Sequence, residues 1–252
     1  MTELSKNKIK FVRSLWQKKF RDELGLFIAE GEKLVDELLP AFRCKLLVAQ
    51  KDFFERHTSV VADETVETNA SGMDRLTQLK SPPAVLGVFV KPDYAKNELF
   101  FENKLTLALD DIQDPGNVGT ILRIADWFGI EQVICSEATA DVFNSKTIQA
   151  SMGSIARVKT YVVDLPELLS KAPKNVSIYG TFLDGTPIYQ AKLNHEGIII
   201  MGNEGKGIGD EAARFVNQKL VIPHFPANRK TSESLNVAAA AAVVCSEFRR
   251  SF

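Results

Sequence analysis

Three polar stretches carry the side chains best suited to chemistry, and each lies beside a short apolar run. The first is residues 110–123, DDIQDPGNVGTILR, which follows the apolar run at residues 105–109. It offers an amide at Asn117 and a guanidinium at Arg123. Polar groups that follow parallel strands meet at one edge of an open α/β sheet, where ligands bind. A helix-capping Asn beside a solvent-exposed Arg is the alternative interpretation of this stretch taken alone.

The second stretch is residues 202–209, GNEGKGIG, in which four of the eight residues are glycine. Glycine lets a backbone approach a ligand closely. A phosphate-binding P-loop needs Ser or Thr after its lysine, but here Gly207 follows Lys206. The spacing also differs from the dinucleotide fingerprint GxGxxG. It matches the GxGxG of Rossmann-type methyltransferases, but the 43 residues after Gly209 are too few for the βα units that such a domain still requires.

The third stretch is residues 232–236, SESLN, which precede an alanine-rich segment. A serine that caps the following helix is one interpretation. In the other, Ser234 and Asn236 present a hydroxyl and an amide at the mouth formed by the loops after two apolar runs, residues 198–201 and 220–223.

The composition is that of a soluble globular protein of one large or two ordinary domains. Its 252 residues are 45% hydrophobic and 25% charged, with a net charge of -1. The three cysteines, Cys44, Cys135 and Cys245, show no metal-ligand spacing, so we expect reduced thiols, no metal site and a cytoplasmic location. No signal-peptide core or long apolar stretch stands out, so we expect no membrane segment.

The elements that must position these stretches alternate in type. Short apolar runs alternate with helical segments at 117–128, 165–171 and 235–249, which predicts a parallel sheet covered on both faces. The first half predicts a smaller α/β layer domain, with helices at residues 5–20, 32–39 and 73–79. A polar, proline-containing linker is expected at residues 91–98.

The N-terminal helix is the most biased segment in charge. It has no acidic residue between Ser5 and Arg21, and its cations are Lys6, Lys8, Lys10, Arg13, Lys18, Lys19 and Arg21. A solvated helix face and a phosphate-contacting face both explain them.

Taken in order, DPGNVGTILR, GNEGKG and IP…SLNV resemble the motifs of the SpoU/TrmH family, which are S-adenosylmethionine-dependent RNA 2′-O-ribose methyltransferases of the SPOUT class. The resemblance covers residues 105–252, and the first hundred residues resemble the small L30e-like RNA-binding domain that is often fused to this enzyme. It implies an L30e-like α/β domain at 1–96 and a trefoil-knotted, parallel-sheet methyltransferase domain at 97–252, with helices on both faces.

The resemblance also implies roles for single residues. The cofactor, S-adenosylmethionine, would be held largely by backbone atoms at Gly202, Ile222, Leu235 and Thr181, without a metal. The methyl-transfer site would contain Asn117, Arg123, Glu204, Ser234 and Asn236. Because a guanidinium stays protonated, we assign Arg123 to clamping a phosphate and stabilising the developing alkoxide, and leave the base unassigned.

The expected function is therefore methyl transfer to a ribose 2′-hydroxyl of ribosomal or transfer RNA, by a homodimer to whose interface the alanine-rich last helix contributes. A non-catalytic RNA-binding or ribosome assembly factor is the alternative. The chain departs from the family in its longer loop at residues 224–233, which lacks glycine and carries His224, Arg229 and Lys230.

Overall fold

A computed structural model describes residues 2–94, 99, 101–226 and 234–250. The chain forms two compact units, one of Met1–Asp93 with Asp141–Ala156 and one of Tyr94–Ala140 with Arg157–Phe252. The predicted boundary between residues 96 and 97 lies outside the described residues and stays a prediction. The sequence pattern did not indicate that residues 141–156 belong with the first unit.

The first unit is built on a five-stranded mixed sheet with the order β1-β4-β3-β5-β2. Strand β5 runs antiparallel to both β2 and β3, whereas β4 runs parallel to both β1 and β3. The elements are β1 (Thr2–Glu3), α1 (Lys6–Ser14), α2 (Lys18–Leu24), β2 (Leu26–Glu30), α3 (Glu32–Leu38), β3 (Cys44–Gln50), α4 (Lys51–Arg56), β4 (Thr65–Thr68), α5 (Ala70–Asp74) and β5 (Val85–Val90).

The single helix expected at residues 5–20 is wrong, because the chain forms α1 and α2 with a break at Gln17, whose backbone is extended. Arg21 explains the break. Its Nη1 donates to the carbonyl oxygens of Leu15 (2.9 Å) and Trp16 (2.8 Å), which are therefore satisfied without a continuous helix. Arg21 is also buried, so it is not one of the exposed cations.

The short elements of the first unit were the hardest to predict. The helix expected at residues 73–79 is α5 instead, and it starts earlier because the Asn69 side chain accepts a hydrogen bond from Gly72 N (2.9 Å). Strand β4 was missed because only Val66 of its four residues is buried, which leaves no clear alternation.

The second unit is built on a six-stranded sheet with the order β11-β9-β10-β6-β7-β8, and all five pairings are parallel. This confirms the predicted parallel sheet. The remaining elements are β6 (Leu105–Asp110), α6 (Pro115–Trp127), β7 (Gln132–Ser136), α7 (Ser145–Ser151, in the first unit), β8 (Lys159–Val163), α8 (Leu165–Ser170), β9 (Ile178–Pro187), β10 (Gly197–Gly202), α9 (Asp210–Ala213), β11 (Gln218–Val221) and α10 (Val237–Arg249).

Strand β10 shows how this sheet is covered on both faces. Ile198 and Ile200 join a core cluster with residues of α8 and α9. Ile199 and Met201 point to the other face, are equally buried, and lie on the side where α10 packs against α6 and β10. Helices therefore cover both faces, as predicted.

Two further features bear on function. None of the described helices is long and apolar enough to cross a membrane.

The three cysteines are free and buried, and burial raises the pKa of Cys135 and Cys245 to about 12. Thiolate chemistry at neutral pH is therefore unfavourable at both residues.

Candidate active site

The edge of the second sheet has a topological switch point between β6 and β10. From β6 the chain continues to β7 and β8 on one side, whereas from β10 it continues to β11 on the other. The two strands pair in parallel with Gly202 opposite Asp110, so their following loops leave the sheet side by side. Ligands of open α/β sheets bind in such a crevice.

Asn117 lies at the start of α6, but it does not cap the helix. Asp114 is the cap, since its Oδ1 accepts from Gly116 N (2.5 Å) and Asn117 N (3.2 Å), and Pro115 occupies the first turn. The capping interpretation of Asn117 is therefore wrong. Its side chain is left available for contacts outside the helix.

The loop after β10 is a tight turn fastened by Asn203. Asn203 and Gly207 exchange two backbone hydrogen bonds of 2.9 and 2.8 Å. The Asn203 Oδ1 accepts from Gly205 N (2.9 Å) and Lys206 N (3.0 Å), and its Nδ2 donates to Asp111 O (2.8 Å). One amide therefore shapes the turn and ties it to the loop after β6.

Glu204 projects from this turn and meets Asn117 across the switch point. Asn117 Nδ2 donates to Glu204 Oε1 at 2.7 Å. Asn236 Nδ2 in turn donates to Asn117 Oδ1 at 3.1 Å. Three of the five predicted catalytic residues thus form one hydrogen-bonded chain.

Asn236 has a second task as the N-cap of α10. Its Oδ1 accepts from Ala238 N (3.0 Å) and Ala239 N (3.2 Å), so its amide nitrogen must face away from the helix and toward Asn117. The serine cap that we considered for this helix is therefore wrong. The cap fixes the direction of the whole chain of hydrogen bonds.

Arg123 is exposed on the outer face of α6. It makes no hydrogen bond or ion pair with any residue in the described part of the chain. Thr120 and Trp127 lie on the same stripe, one turn to either side, and Trp127 is 84% exposed. Ser234 is also exposed, without a hydrogen bond to a described residue.

Two of the predicted cofactor residues lie at the carboxyl ends of strands, one lies just before α10, and Thr181 lies within β9. Gly202 ends β10, Ile222 follows β11, and Leu235 is 52% exposed just before Asn236. Thr181 begins a bulge of β9, and its Oγ1 donates to Ile200 O (3.1 Å). Of the unusual loop, residues 227–233, including Arg229 and Lys230, lie outside the described residues, whereas His224 is exposed.

Two of these positions suit backbone recognition of a ligand. Within the described residues, neither Ile222 nor Leu235 makes a backbone hydrogen bond. Gly202 is required for the shape, because an added Cβ would lie 2.3 Å from both Gly207 C and Ile208 N. Free main-chain groups beside apolar side chains, of which Leu235 is exposed, fit a nucleoside such as the adenosine of S-adenosylmethionine.

Sequence reasoning missed the residues that hold these loops in place. Asp110 Oδ2 accepts from Gly209 N at 2.8 Å, and Asn203 fastens the turn. Asn side chains often bond to the backbone two residues on in turns, so the place of Asn203 in the glycine-rich stretch could have identified it. The link from Asp110 to Gly209 spans 99 positions and carries no local signal.

Two other features of the chain lie outside this arrangement. A cavity of about 390 Å³ beside β9 and β11 is lined by residues 185–186, 190–192 and 217–220, and none of these is one of the nine predicted residues. In the first unit, Glu32, Asp36 and His57 place ligand atoms within 4.8 Å of one another. Glu32 is already bound by Arg56, which lowers its pKa, so an ion pair accounts for the group.

Comparison with known proteins identifies the family. A family model described as the SpoU rRNA Methylase family matches residues 104–246, which is more than half of the chain and contains all nine predicted site residues. The chain belongs to the SpoU rRNA methylase family. The predicted family is thereby confirmed, as is the predicted fold class of a parallel sheet with helices on both faces, apart from the knot. A second model, the MRM3-like substrate binding domain, matches residues 6–87.

Two relatives match along three quarters or more of the chain. The 23S rRNA (guanosine(2553)-2′-O)-methyltransferase RlmP of Bacillus subtilis is 30% identical over 98% of both chains. The 23S rRNA (guanosine-2′-O-)-methyltransferase RlmB of Neisseria meningitidis is 29% identical over 75% of this chain and 78% of its own.

Solved structures of similar proteins superpose on this chain. A TrmH-family protein from Porphyromonas gingivalis superposes with a TM-score of 0.91, at 41% identity over 100% of both chains. An AdoMet-bound rRNA methyltransferase from Sinorhizobium meliloti gives a TM-score of 0.86, at 30% identity, covering 100% of this chain and 97% of its own.

Proposed function

We propose that this protein transfers a methyl group from S-adenosylmethionine to a ribose 2′-hydroxyl of ribosomal RNA. The observation that carries the proposal is the hydrogen-bonded chain Asn236–Asn117–Glu204 at the switch point of a SpoU-family sheet. Its members come from the first turn of α6, the turn after β10 and the N-cap of α10, all in the second unit. Related proteins that match over nearly the full length are rRNA 2′-O-methyltransferases, which supports the same activity here.

The cofactor would be held by Gly202, Ile222, Leu235 and Thr181. The free backbone groups at Ile222 and Leu235 support this, as does the close approach that only glycine allows at position 202. S-adenosylmethionine supplies an electrophilic methyl group on a sulfonium, so transfer to the ribose oxygen needs an in-line oxygen and removal of its proton. The AdoMet complex of the Sinorhizobium meliloti relative supports this choice of cofactor.

Arg123 would hold the RNA during the transfer. Its guanidinium is exposed and has no partner among the described residues, so it is available to a phosphate. A guanidinium stays protonated at neutral pH, so it suits charge stabilisation of the 2′-oxygen better than proton removal. Glu204 and Asn117 would fix the loops around the reacting atoms, and Ser234 would add a hydroxyl beside them.

Further features belong to the same proposal. The second unit would carry the trefoil knot and form a homodimer, to which the exposed Trp127 on α6 would contribute. Ala238 and Ala241 of α10 would contribute little to such an interface, because both are buried within their own unit. The residues up to 96 would bind the RNA, and the protein would act in the cytoplasm, without a metal.

Titration with S-adenosylmethionine, followed by methyl transfer from labelled cofactor, tests the proposal. The substrates are ribosomal RNA and transfer RNA from a strain that lacks the gene. We expect cofactor binding and label in ribosomal RNA as 2′-O-methylnucleoside. RNA binding without cofactor binding or methyl transfer would instead favour a non-catalytic assembly factor. The basic N-terminal helices are the observation that supports this alternative.

A further inference from the structure

The first unit exposes a row of cations on α1. Lys6, Lys10 and Arg13 recur at spacings of four and three residues, so they share one side of the helix, and all three are exposed. The opposite side buries Ile9 and Val12 against the sheet. The row therefore faces solvent.

Pairing separates this row from most other cations of the first unit. Lys6 and Lys10 have no carboxylate partner among the residues that the structure describes. By contrast, Lys8 pairs with Glu64 at 2.7 Å, although it lies on the same helix. Ion pairs also engage Arg21, Arg43, Lys45, Lys51, Arg56 and Lys91.

Arg13 is held in place without losing its charge. Its Nε donates to Arg75 O at 2.8 Å, and its guanidinium lies 5.3 Å from the centre of the Trp16 ring. Trp16 packs against the core of the unit, so it is a firm support. One donor is used and the two Nη groups are left for a ligand, an arrangement that lowers the entropy lost on binding.

The hydrogen bond from Arg13 to Arg75 O also brings a fourth cationic residue close to the row. Arg75 follows α5, and its backbone oxygen touches the Arg13 guanidinium, while its own side chain is exposed and has no carboxylate partner within the described chain. We call Lys6, Lys10 and Arg13, together with Arg75, whose backbone lies against Arg13, the basic face.

We propose that the basic face binds the phosphate backbone of the RNA substrate. Fixed guanidiniums match phosphate oxygens in a forked geometry, and a row of unpaired cations along a helix fits a polyanion with repeated charges. Contacts to the phosphate backbone supply affinity and position rather than sequence choice. The inference rests on the proposed function for the identity of the RNA.

The test is the salt dependence of binding to a short labelled RNA hairpin by the full-length protein. Removing a phosphate contact lowers the slope of log K against log salt by about 1. We expect that change for Arg13→Ala and for Lys10→Ala, and about 2 for the double variant. Arg13→Lys should keep the slope but weaken binding, because lysine cannot reproduce the fork and the stacking.

Lys33→Ala is the matched control. Lys33 is exposed on α3, which packs on β2 and β5 with buried residues outside the core cluster beneath α1, so it lies on the other side of the sheet. For Lys33→Ala, the slope of log K against log salt should equal that of the wild type. In methyl transfer, the variants of the basic face should raise KM for RNA and leave kcat and cofactor affinity unchanged.

Slopes and affinities equal to those of Lys33→Ala would overturn the proposal, as would competition by polyglutamate as strong as by RNA. A failure of the basic face can be distinguished from a failure of the proposed function. Wild-type protein that binds RNA through this face but transfers no methyl group would refute the activity alone. Full activity with unchanged RNA affinity in the variants would refute the basic face alone.

Discussion

Asn117 Nδ2 donates a 2.7 Å hydrogen bond to Glu204 Oε1, although the two residues lie 87 positions apart in the chain. The bond joins the start of α6 to the turn after β10, on the two sides of the topological switch point. Because Asn236 fixes the orientation of the Asn117 amide, the Asn117 nitrogen must point at Glu204. The hydrogen bond therefore has a fixed direction, from the amide donor of Asn117 to the carboxylate acceptor of Glu204.

This direction makes the pair testable by exchange. Asn117→Asp places a second carboxylate against Glu204, so we expect methyl transfer to fall by more than tenfold. Glu204→Gln alone keeps an acceptor oxygen and should be milder if the role of the residue is positional. In the double variant an amide faces a carboxylate again, with donor and acceptor reversed, and part of the activity should return. A double variant as poor as the product of its two single losses would show that the pair is not coupled.

Arg123→Ala should leave cofactor affinity nearly intact and remove most of the transfer activity. The reason is that the side chain has no structural partner in the described chain, so its loss would remove only the RNA contact proposed for it. Single-turnover transfer and cofactor titration check the two halves. Activity within about threefold of the wild type, roughly 0.7 kcal/mol of barrier, would show that Arg123 is not catalytic.

Gly202→Ala should disrupt the turn after β10. The new Cβ would lie 2.3 Å from backbone atoms of Gly207 and Ile208, so the turn must open, at a cost of about 1 to 3 kcal/mol of stability. Cofactor affinity should fall by more than tenfold in titration calorimetry. Gly205→Ala is the control, since its Cβ would meet only Asn203 Oδ1 at 3.6 Å. Equal stability and affinity for the two variants would contradict the steric explanation.

The ion pair of Arg21 with Asp141 should stabilise the first unit. Arg21 Nη2 lies 2.6 Å from Asp141 Oδ2, and the side chains are only 3% and 11% exposed. Removing Arg21 leaves the charge of Asp141 buried without its partner, so Arg21→Ala should lower the free energy of unfolding by about 3 to 5 kcal/mol. Arg43→Ala removes a pair whose arginine side chain is 69% exposed, so it should cost much less, because solvent screens exposed charges. Chemical denaturation compares them, and equal losses would argue against the burial argument.

The sequence was informative where burial is continuous. Runs such as Ile198–Met201, buried on both faces, are typical of central parallel strands, and the ordered motifs pointed to the family. The sequence did not show that residues 141–156 pack with the first unit, because that depends on contacts such as Arg21 with Asp141, 120 positions apart. For the same reason, the break between α1 and α2 and the Asn117–Glu204 bond had no local signal.

The most direct measurement is a map of 2′-O-methylated riboses in the ribosomal RNA of three strains. They carry the wild-type gene, no gene, or the gene for Arg123→Ala expressed at the wild-type level. The account predicts a ribose that is methylated in the first strain and unmethylated in the other two. Identical maps in all three strains would contradict it.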